Sequence, residues 1–278
     1  MRFYKRHIII VFALMANALF SQPATVTYDD YKNDSSYVNF NKLKDDVAKA
    51  QIISLKKGAL LVRLKTNNKA IAQLKKTGNI DLATQVERET ALKNKISMFS
   101  YLQEFDFCPV YFFYSDVSDS VKHHSLSGIF VDTTLQVNSS IVCNATYYLI
   151  ADNFSPIYNS SLGFVSKNKT HTAVENGTAT REVAIAIKNS HFIQVHKPFP
   201  YFQVKSTLLS NAEKAPTQIK SRLSNLYEQL LREKMSKAER KDLKKFKGSV
   251  YLFNEALHTF YNDNKFYSIP ASISDYIY

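Results

Sequence analysis

Apolar residues form short continuous runs through the first two thirds of the chain and a helical stripe near its end. Four runs predict buried strands, at residues 59–64, 107–114, 129–131 and 147–151. Strands that are apolar on both faces are typical of a sheet covered by helices on both sides. Helical spacing at 41–53, between Asn67 and Gly78, and at 79–102 predicts the covering helices. The alternation therefore predicts an α/β fold with a central mixed sheet.

The last third of the chain changes character. Asn176-Gly177 and the alternating Val183, Ile185 and Ile187 predict an antiparallel hairpin. Pro216 opens a predicted helix, and Ser236 with Glu239 forms a capping-box pattern that starts another. Apolar residues in this last helix recur in steps of three and four, at Leu243, Phe246, Val250, Phe253, Leu257 and Phe260. We expect the two helices to be antiparallel, with their stripes packed together or onto the sheet; a self-associating coiled coil is the alternative.

The N-terminus has the pattern of a secretory signal peptide. A basic stretch with Arg2, Lys5 and Arg6 precedes the apolar run 8–20, and small residues follow. This run is too short for a typical membrane span, so we expect cleavage and an exported, periplasmic or extracellular protein with no transmembrane segment. The predicted organisation is a signal peptide (1–21), an arm and helix (22–57), an α/β domain (58–205), a C-terminal helical pair (212–261) and an irregular tail (262–278).

Positive charge is concentrated in one segment. The chain has a formal net charge of +12. Residues 212–247 hold eleven Lys or Arg and five Asp or Glu, a net of 11 − 5 = +6. In an exported protein such a segment predicts contact with an anionic membrane or polysaccharide surface rather than with nucleic acid, although a solvated helix face is the simpler interpretation. The candidate contact residues are Arg240, Lys241, Lys244, Lys245 and Lys247.

Glycine and cysteine usage excludes several familiar kinds of site. No two of the six glycines lie closer than 14 residues, so the usual dinucleotide-binding, Walker A and nucleophile-elbow motifs are absent from the sequence. The only cysteines are Cys108 and Cys143, and they form no Cys-x-x-Cys motif. Export permits a disulfide between them, and two buried free thiols are the equally compatible alternative.

Three aspartates follow predicted strands and form the candidate catalytic set. These are Asp116, Asp132 and Asp152. Ligands bind at the carboxyl ends of parallel strands, so three carboxylates there could hold a divalent cation or act as acid and base. Local hydrogen bonding at turns is the simpler explanation for aspartates in such positions. Apart from this divalent cation, no cofactor is predicted.

Several blocks resemble an uncharacterised secreted family of Bacteroidota. They are a leader ending in Phe-Ser-Gln, GALLVRLKTN (58–67), FCPVYFFYSD (107–116) and QVHKPFPYF (194–202). The resemblance covers residues 50 to 260 and implies compartment and phylum, with no activity attached. The order strand, helix, strand and hairpin also resembles thioredoxin-like folds, although this chain lacks their redox motif.

These observations leave three functional hypotheses. The first is a non-catalytic exported protein of the cell envelope that acts through protein or surface contacts. The second is a metal-assisted hydrolase that uses the three aspartates. The third is a thioredoxin-like protein without dithiol chemistry.

Overall fold

A computed structural model describes residues 37–153, 183–195, 199–200, 202–204 and 218–263. In chain order the helices and strands are α1 (Tyr37–Lys57), β1 (Ala59–Leu64), α2 (Asn68–Lys76), α3 (Ile80–Glu104), β2 (Val110–Tyr114), α4 (Ser118–Lys122), β3 (Tyr148–Asn153), β4 (Val183–Lys188), β5 (Phe202–Val204), α5 (Ser224–Arg232) and α6 (Lys237–Asp263). Single 3₁₀ turns precede α4 and α5. The α/β prediction is confirmed.

The strands form one mixed sheet in the order β2-β1-β3-β4-β5. β1 lies between β2 and β3 and is parallel to both. β4 is antiparallel to its two neighbours, β3 and β5. The chain therefore leaves β1 towards one side of the sheet and returns as β3 on the other side. Arg63 of β1 is in register with Asp152 of β3, which places these two residues at the carboxyl edge of the parallel strands.

Apolar side chains build a core on each face of the sheet. The larger cluster joins Leu60 and Val62 of β1 to α1, α3, α5 and α6. The smaller cluster joins Leu61 of β1 to α4 and the segment that follows it, through Val121 and Phe130. The continuous apolar runs thus encode burial on both faces. The two faces differ because long helices cover one of them, whereas a short helix and loops cover the other.

The last helix matches its sequence pattern closely. Phe246, Val250, Phe253 and Leu257 are buried, and α6 packs against α3 and the antiparallel strands. The capping box is present: the Ser236 amide donates to Glu239 Oε2 (2.7 Å), and the Glu239 amide donates to Ser236 Oγ (3.2 Å). α5 packs against α3 as well, so α3 is the main helical neighbour of both C-terminal helices.

Several details of the predicted strands and helices differ from the structure. Residues 129–131 form isolated bridges, Phe113 with Phe130 and Val131 with Val137, because this segment covers the outer edge of β2 and has no further strand beside it. α5 begins at Ser224, because residues 218–220 are not helical and Ser221–Leu223 form a 3₁₀ turn. Leu82, an apolar residue in the first turn of the predicted helix 79–102, is 48% exposed and does not join the core.

Some predictions fall on residues that the structure does not describe. These are the signal peptide, the Asn176-Gly177 turn, Pro216 and the tail after Asp263. Within the described ranges, no helix combines the length and apolarity needed to cross a membrane.

Candidate functional site

Asp152 is a buried carboxylate held by cations from two neighbouring strands. Its side chain is 4% exposed, and its Oδ2 atom lies 2.6 Å from Lys188 Nζ of β4 and 3.5 Å from Arg63 Nη1 of β1. Burial alone raises the pKa of Asp152, but the charges of Lys188, Arg63 and Lys65 and the Lys188 hydrogen bond outweigh it. The net pKa lies below the usual value, so Asp152 is ionised at neutral pH.

The other two candidate aspartates lie in separate local networks. Asp116 accepts hydrogen bonds from Thr66 Oγ1 (2.5 Å) and Asn68 Nδ2 (2.6 Å), which ties the end of β2 to the end of β1. Asp132 accepts from the amide and hydroxyl of Thr134 two residues later, as a turn aspartate does.

The structure does not bring the three aspartates together into one group. No cluster of three histidine, cysteine or acidic side chains in the described part of the chain is placed to hold an ion. Each of the three aspartates instead serves a local hydrogen-bond or ion-pair network. The geometry therefore gives no support to a metal ion shared by these three residues.

Asn153, the next residue along β3, points to the opposite face of the sheet from Asp152. Its Oδ1 atom accepts a 3.1 Å hydrogen bond from the hydroxyl of Tyr101 on α3. Burial, and secondarily Asp152, raises the pKa of Tyr101 well above its usual value, so the phenol stays protonated and donates. The amide nitrogen of Asn153 has no partner among the described residues, although the residue is only 2% exposed.

The loop after β1 is fixed by side chains of α3. Asn94 accepts from the Lys65 amide (3.1 Å) and donates to the Lys65 carbonyl (2.8 Å). Asn67 adopts a left-handed backbone conformation with φ of 55° and donates from Nδ2 to Thr90 Oγ1 at 2.8 Å. Two polar residues one helical turn apart on α3 thus hold the backbone of the loop in one conformation.

A cavity opens between this loop, β3 and α3. It has about 680 Å³ of empty space, including its open mouth, and is lined by Arg63, Lys65, Asn67, Val86, Glu89, Thr90, Lys93, Asn94, Ser97 and Asn153. Among these, three cations face one carboxylate, a formal net charge of 3 − 1 = +2. Desolvation lowers the pKa of Lys65, and the positive charges of Arg63, Lys93 and Lys188 lower it further, against the opposing effect of Asp152.

The two cysteines are free thiols on different faces of the sheet. Cys108 belongs to the larger core cluster, whereas Cys143 packs against the smaller one. Burial raises the pKa of Cys108 to about 12 and also raises that of Cys143. The possible disulfide is absent from the structure, because the sheet lies between the two clusters, and neither thiol is activated as a nucleophile.

The five basic candidates on α6 differ in exposure. Lys241 and Lys244 are exposed, as is Lys237 one turn earlier. Lys245 is half-buried, and the guanidinium of Arg240 donates to the Met235 carbonyl. The prediction that Lys247 contacts an external surface is wrong. Its side chain is 14% exposed, and its Nζ atom lies 3.2 Å from the carboxylate of Glu104, which is 2% exposed. Lys247 therefore belongs to the contact between α3 and α6.

Lys237, Lys241 and Lys244 are named here the lysine row. They are four and three residues apart, so at about 100° per residue they lie on one side of α6. The stripe from Phe246 to Leu257 falls on the opposite side by the same geometry. The helix therefore presents its lysine row away from the body of the protein.

Sequence reasoning found Asp152 but missed the residues around it. Lys188 and Arg63 come from other strands, and only Arg63 carried a signal, as the single charged residue inside the apolar run 59–64. The adjacent Asp152 and Asn153, which end a fully buried strand, were a second signal. Nothing local to Lys93 or Ser97 distinguishes them from other polar residues of α3.

Comparisons with protein families, curated proteins and solved structures find no match for this chain.

Proposed function

We propose that this chain is exported to the cell envelope, where it acts without catalysis by attaching to an anionic surface through the lysine row. The observation that carries the proposal is the position of Lys237, Lys241 and Lys244. They are exposed on the side of α6 opposite the stripe that anchors this helix to α3. The export step rests on the signal-peptide pattern of residues 1–21.

The charge balance near the row supports attachment to an anionic surface. The nearest acidic residues in sequence are Glu239 and Asp242. Glu239 is occupied by the capping box and by Arg88, 3.1 Å away on α3. Because this carboxylate already pairs with Arg88, it does not neutralise the outward lysines. At about 100° per residue, Asp242 also lies on a different side of α6 from the row.

Helix stability does not explain the row. The N-terminus of a helix carries partial positive charge, so a cation in its first turn is unfavourable by a few tenths of a kcal/mol. Lys237 is the first residue of α6, whereas Lys241 and Lys244 lie beyond the first turn, where this effect has fallen off. The helix dipole therefore gives no stabilising reason for a cation at Lys237.

Co-sedimentation with lipid vesicles tests this proposal. We expect the protein to bind vesicles that contain phosphatidylglycerol, to release them as NaCl rises, and not to bind pure phosphatidylcholine. Each lysine near an anionic surface contributes about 1 kcal/mol, so Lys241→Glu with Lys244→Glu should weaken binding by about tenfold or more.

The matched control is Lys69→Glu with Lys76→Glu, which makes the same change in net charge at exposed positions of α2. The control protein should bind as the unmodified chain does. Equal weakening by both pairs would show that net charge alone drives binding, and absence of binding to anionic vesicles would reject the proposal.

A further inference from the structure

The floor of the strand-end cavity has a polar group without a partner. Tyr101 donates to Asn153 Oδ1, which fixes the orientation of the amide and leaves its nitrogen as a donor. Asn153 lines the cavity, is 2% exposed, and its nitrogen has no hydrogen-bond partner among the described residues. A buried donor left unsatisfied is unfavourable, so such groups in native proteins call for a ligand or a bound water.

The walls of the cavity supply positive charge around this donor. Lys65 and Lys93 line it with Arg63, and Glu89 is the opposing carboxylate. Lys65 is partly desolvated and is repelled by the cations Arg63, Lys93 and Lys188, while the Asp152 carboxylate attracts it. An anion in the cavity would relieve this repulsion, which gives the empty cavity an electrostatic preference for negative charge.

The place of the cavity in the sheet is the place where open α/β sheets bind ligands. β1 connects through α2 and α3 to β2 on one side, while β3 lies on its other side. Ligands bind outside the carboxyl ends of the strands where the direction of the connections changes. The loop there is already held by Asn94 and Thr90, so little ordering accompanies binding.

We propose that this cavity binds the dianionic oxyanion group of a small solute, such as a phosphate monoester. Lys65 and Lys93 provide the charge, and the Asn153 amide donates a hydrogen bond at the floor. The formal net charge of +2 on the lining residues favours an anion over a neutral solute. This site is separate from the lysine row, and its test does not depend on the surface proposal.

The kind of donor that lines the cavity favours a phosphate group over a single carboxylate. Arginine recognises a carboxylate with two parallel N–H groups. The guanidinium of Arg63 is already occupied, because Nε donates to Ser118 Oγ at 3.0 Å and Nη1 lies against Asp152. The groups assigned to the ligand are two lysines and one amide, which are separate donors suited to a tetrahedral anion.

Calorimetric titration of the full chain with inorganic phosphate tests the site, with acetate at matched ionic strength as the monoanion. We expect saturable phosphate binding and weaker acetate binding. Lys65→Gln should weaken phosphate binding by about tenfold or more, because it removes a charge-assisted contact. Asn153→Asp should do the same, because it replaces the floor donor with a carboxylate.

Two controls keep the test decisive. Lys76→Gln, at an exposed position of α2 that does not line the cavity, should leave phosphate affinity unchanged. If Asn153→Asp lowers the melting temperature, Lys93→Gln replaces it, since Lys93 is an exposed residue of α3. Absence of phosphate binding, or wild-type affinity in Lys65→Gln, would overturn the proposal.

Discussion

The strand-end cavity and the lysine row both concentrate positive charge, but they hold it in different ways. At the cavity, Arg63 and Lys188 contact a buried carboxylate, and hydrogen bonds from α3 fix the neighbouring loop. In the lysine row the side chains project into solvent from a helix anchored on its other side. A desolvated charge interacts strongly with its neighbours, whereas an exposed one is screened. The cavity suits selective binding, and the row suits non-selective, salt-sensitive contact.

The largest expected effect is at Asp152. Asp152→Asn keeps the shape of the side chain but leaves Arg63 and Lys188 without the carboxylate between them. Removing one partner of a buried ion pair costs about 3 kcal/mol or more, so urea unfolding should show a loss of this size. Glu228→Gln, which breaks an exposed pair with Arg232, should change the unfolding free energy by less than about 0.5 kcal/mol. If both variants lost less than about 0.5 kcal/mol of unfolding free energy, the buried ion pair would contribute no more than the exposed one, which would contradict this prediction.

The Asp152 contribution should also depend on pH. The folded-state pKa is lowered, so ionised Asp152 stabilises the fold above its unfolded pKa of about 3.9, and the contribution is lost as pH falls through the folded value. The difference between wild type and Asp152→Asn should therefore be constant from pH 7 to 5 and shrink below about pH 4. Denaturant titrations across this range provide the measurement. A difference that grows on acidification would contradict the assigned charge state.

A pair of substitutions on α6 separates a buried lysine from an exposed one. Lys247→Met leaves the Glu104 carboxylate buried without its cation and should cost about 2 kcal/mol at pH 7. Lys244→Met, three residues away and exposed, should stay within about 0.5 kcal/mol.

Glu104 gives this pair a second readout. Its pKa is raised, mainly by burial and against the charge of Lys247. Loss of Lys247 should raise it further, so acidification from pH 7 towards 5 should reduce the Lys247→Met deficit. The prediction would be contradicted if Lys247→Met and Lys244→Met lost equal unfolding free energy, or if the loss in Lys247→Met did not change with pH.

The smallest effect concerns how α6 begins. Ser236→Ala removes the hydroxyl that accepts from the Glu239 amide and should cost about 1 kcal/mol. Thermal unfolding followed by circular dichroism measures this change. Because the lysine row lies on the first turns of the same helix, vesicle binding by Ser236→Ala at low temperature should remain intact. Loss of binding without loss of helix would show that the cap contributes to the contact itself.

The parts of the fold that were predicted correctly depend on local pattern. β1 begins and ends as its apolar run does, and the stripe and capping box of α6 are both present. The run 129–131 failed because an apolar segment can cover a sheet edge without joining the sheet. Periodicity reports that a residue is buried, but it does not report which surface buries it.

The site was predicted less well because its partners come from distant parts of the chain. Asp152 was identified, yet Lys188 lies 36 residues away and Arg63 lies 89 away. Lys247 looks like Lys244 in the sequence, and only the position of Glu104 on α3 distinguishes them. A sequence pattern describes each charge alone, whereas pairing requires the tertiary fold.

Vesicle co-sedimentation with one variant from each region tests the account most directly. Lys241→Glu with Lys244→Glu should lose salt-sensitive binding to phosphatidylglycerol vesicles, while Lys65→Gln should sediment with them as wild type does. This outcome would assign surface attachment to the lysine row and separate it from the cavity. Loss of binding in Lys65→Gln to the same extent, or full binding by the double variant, would contradict the division between the two regions.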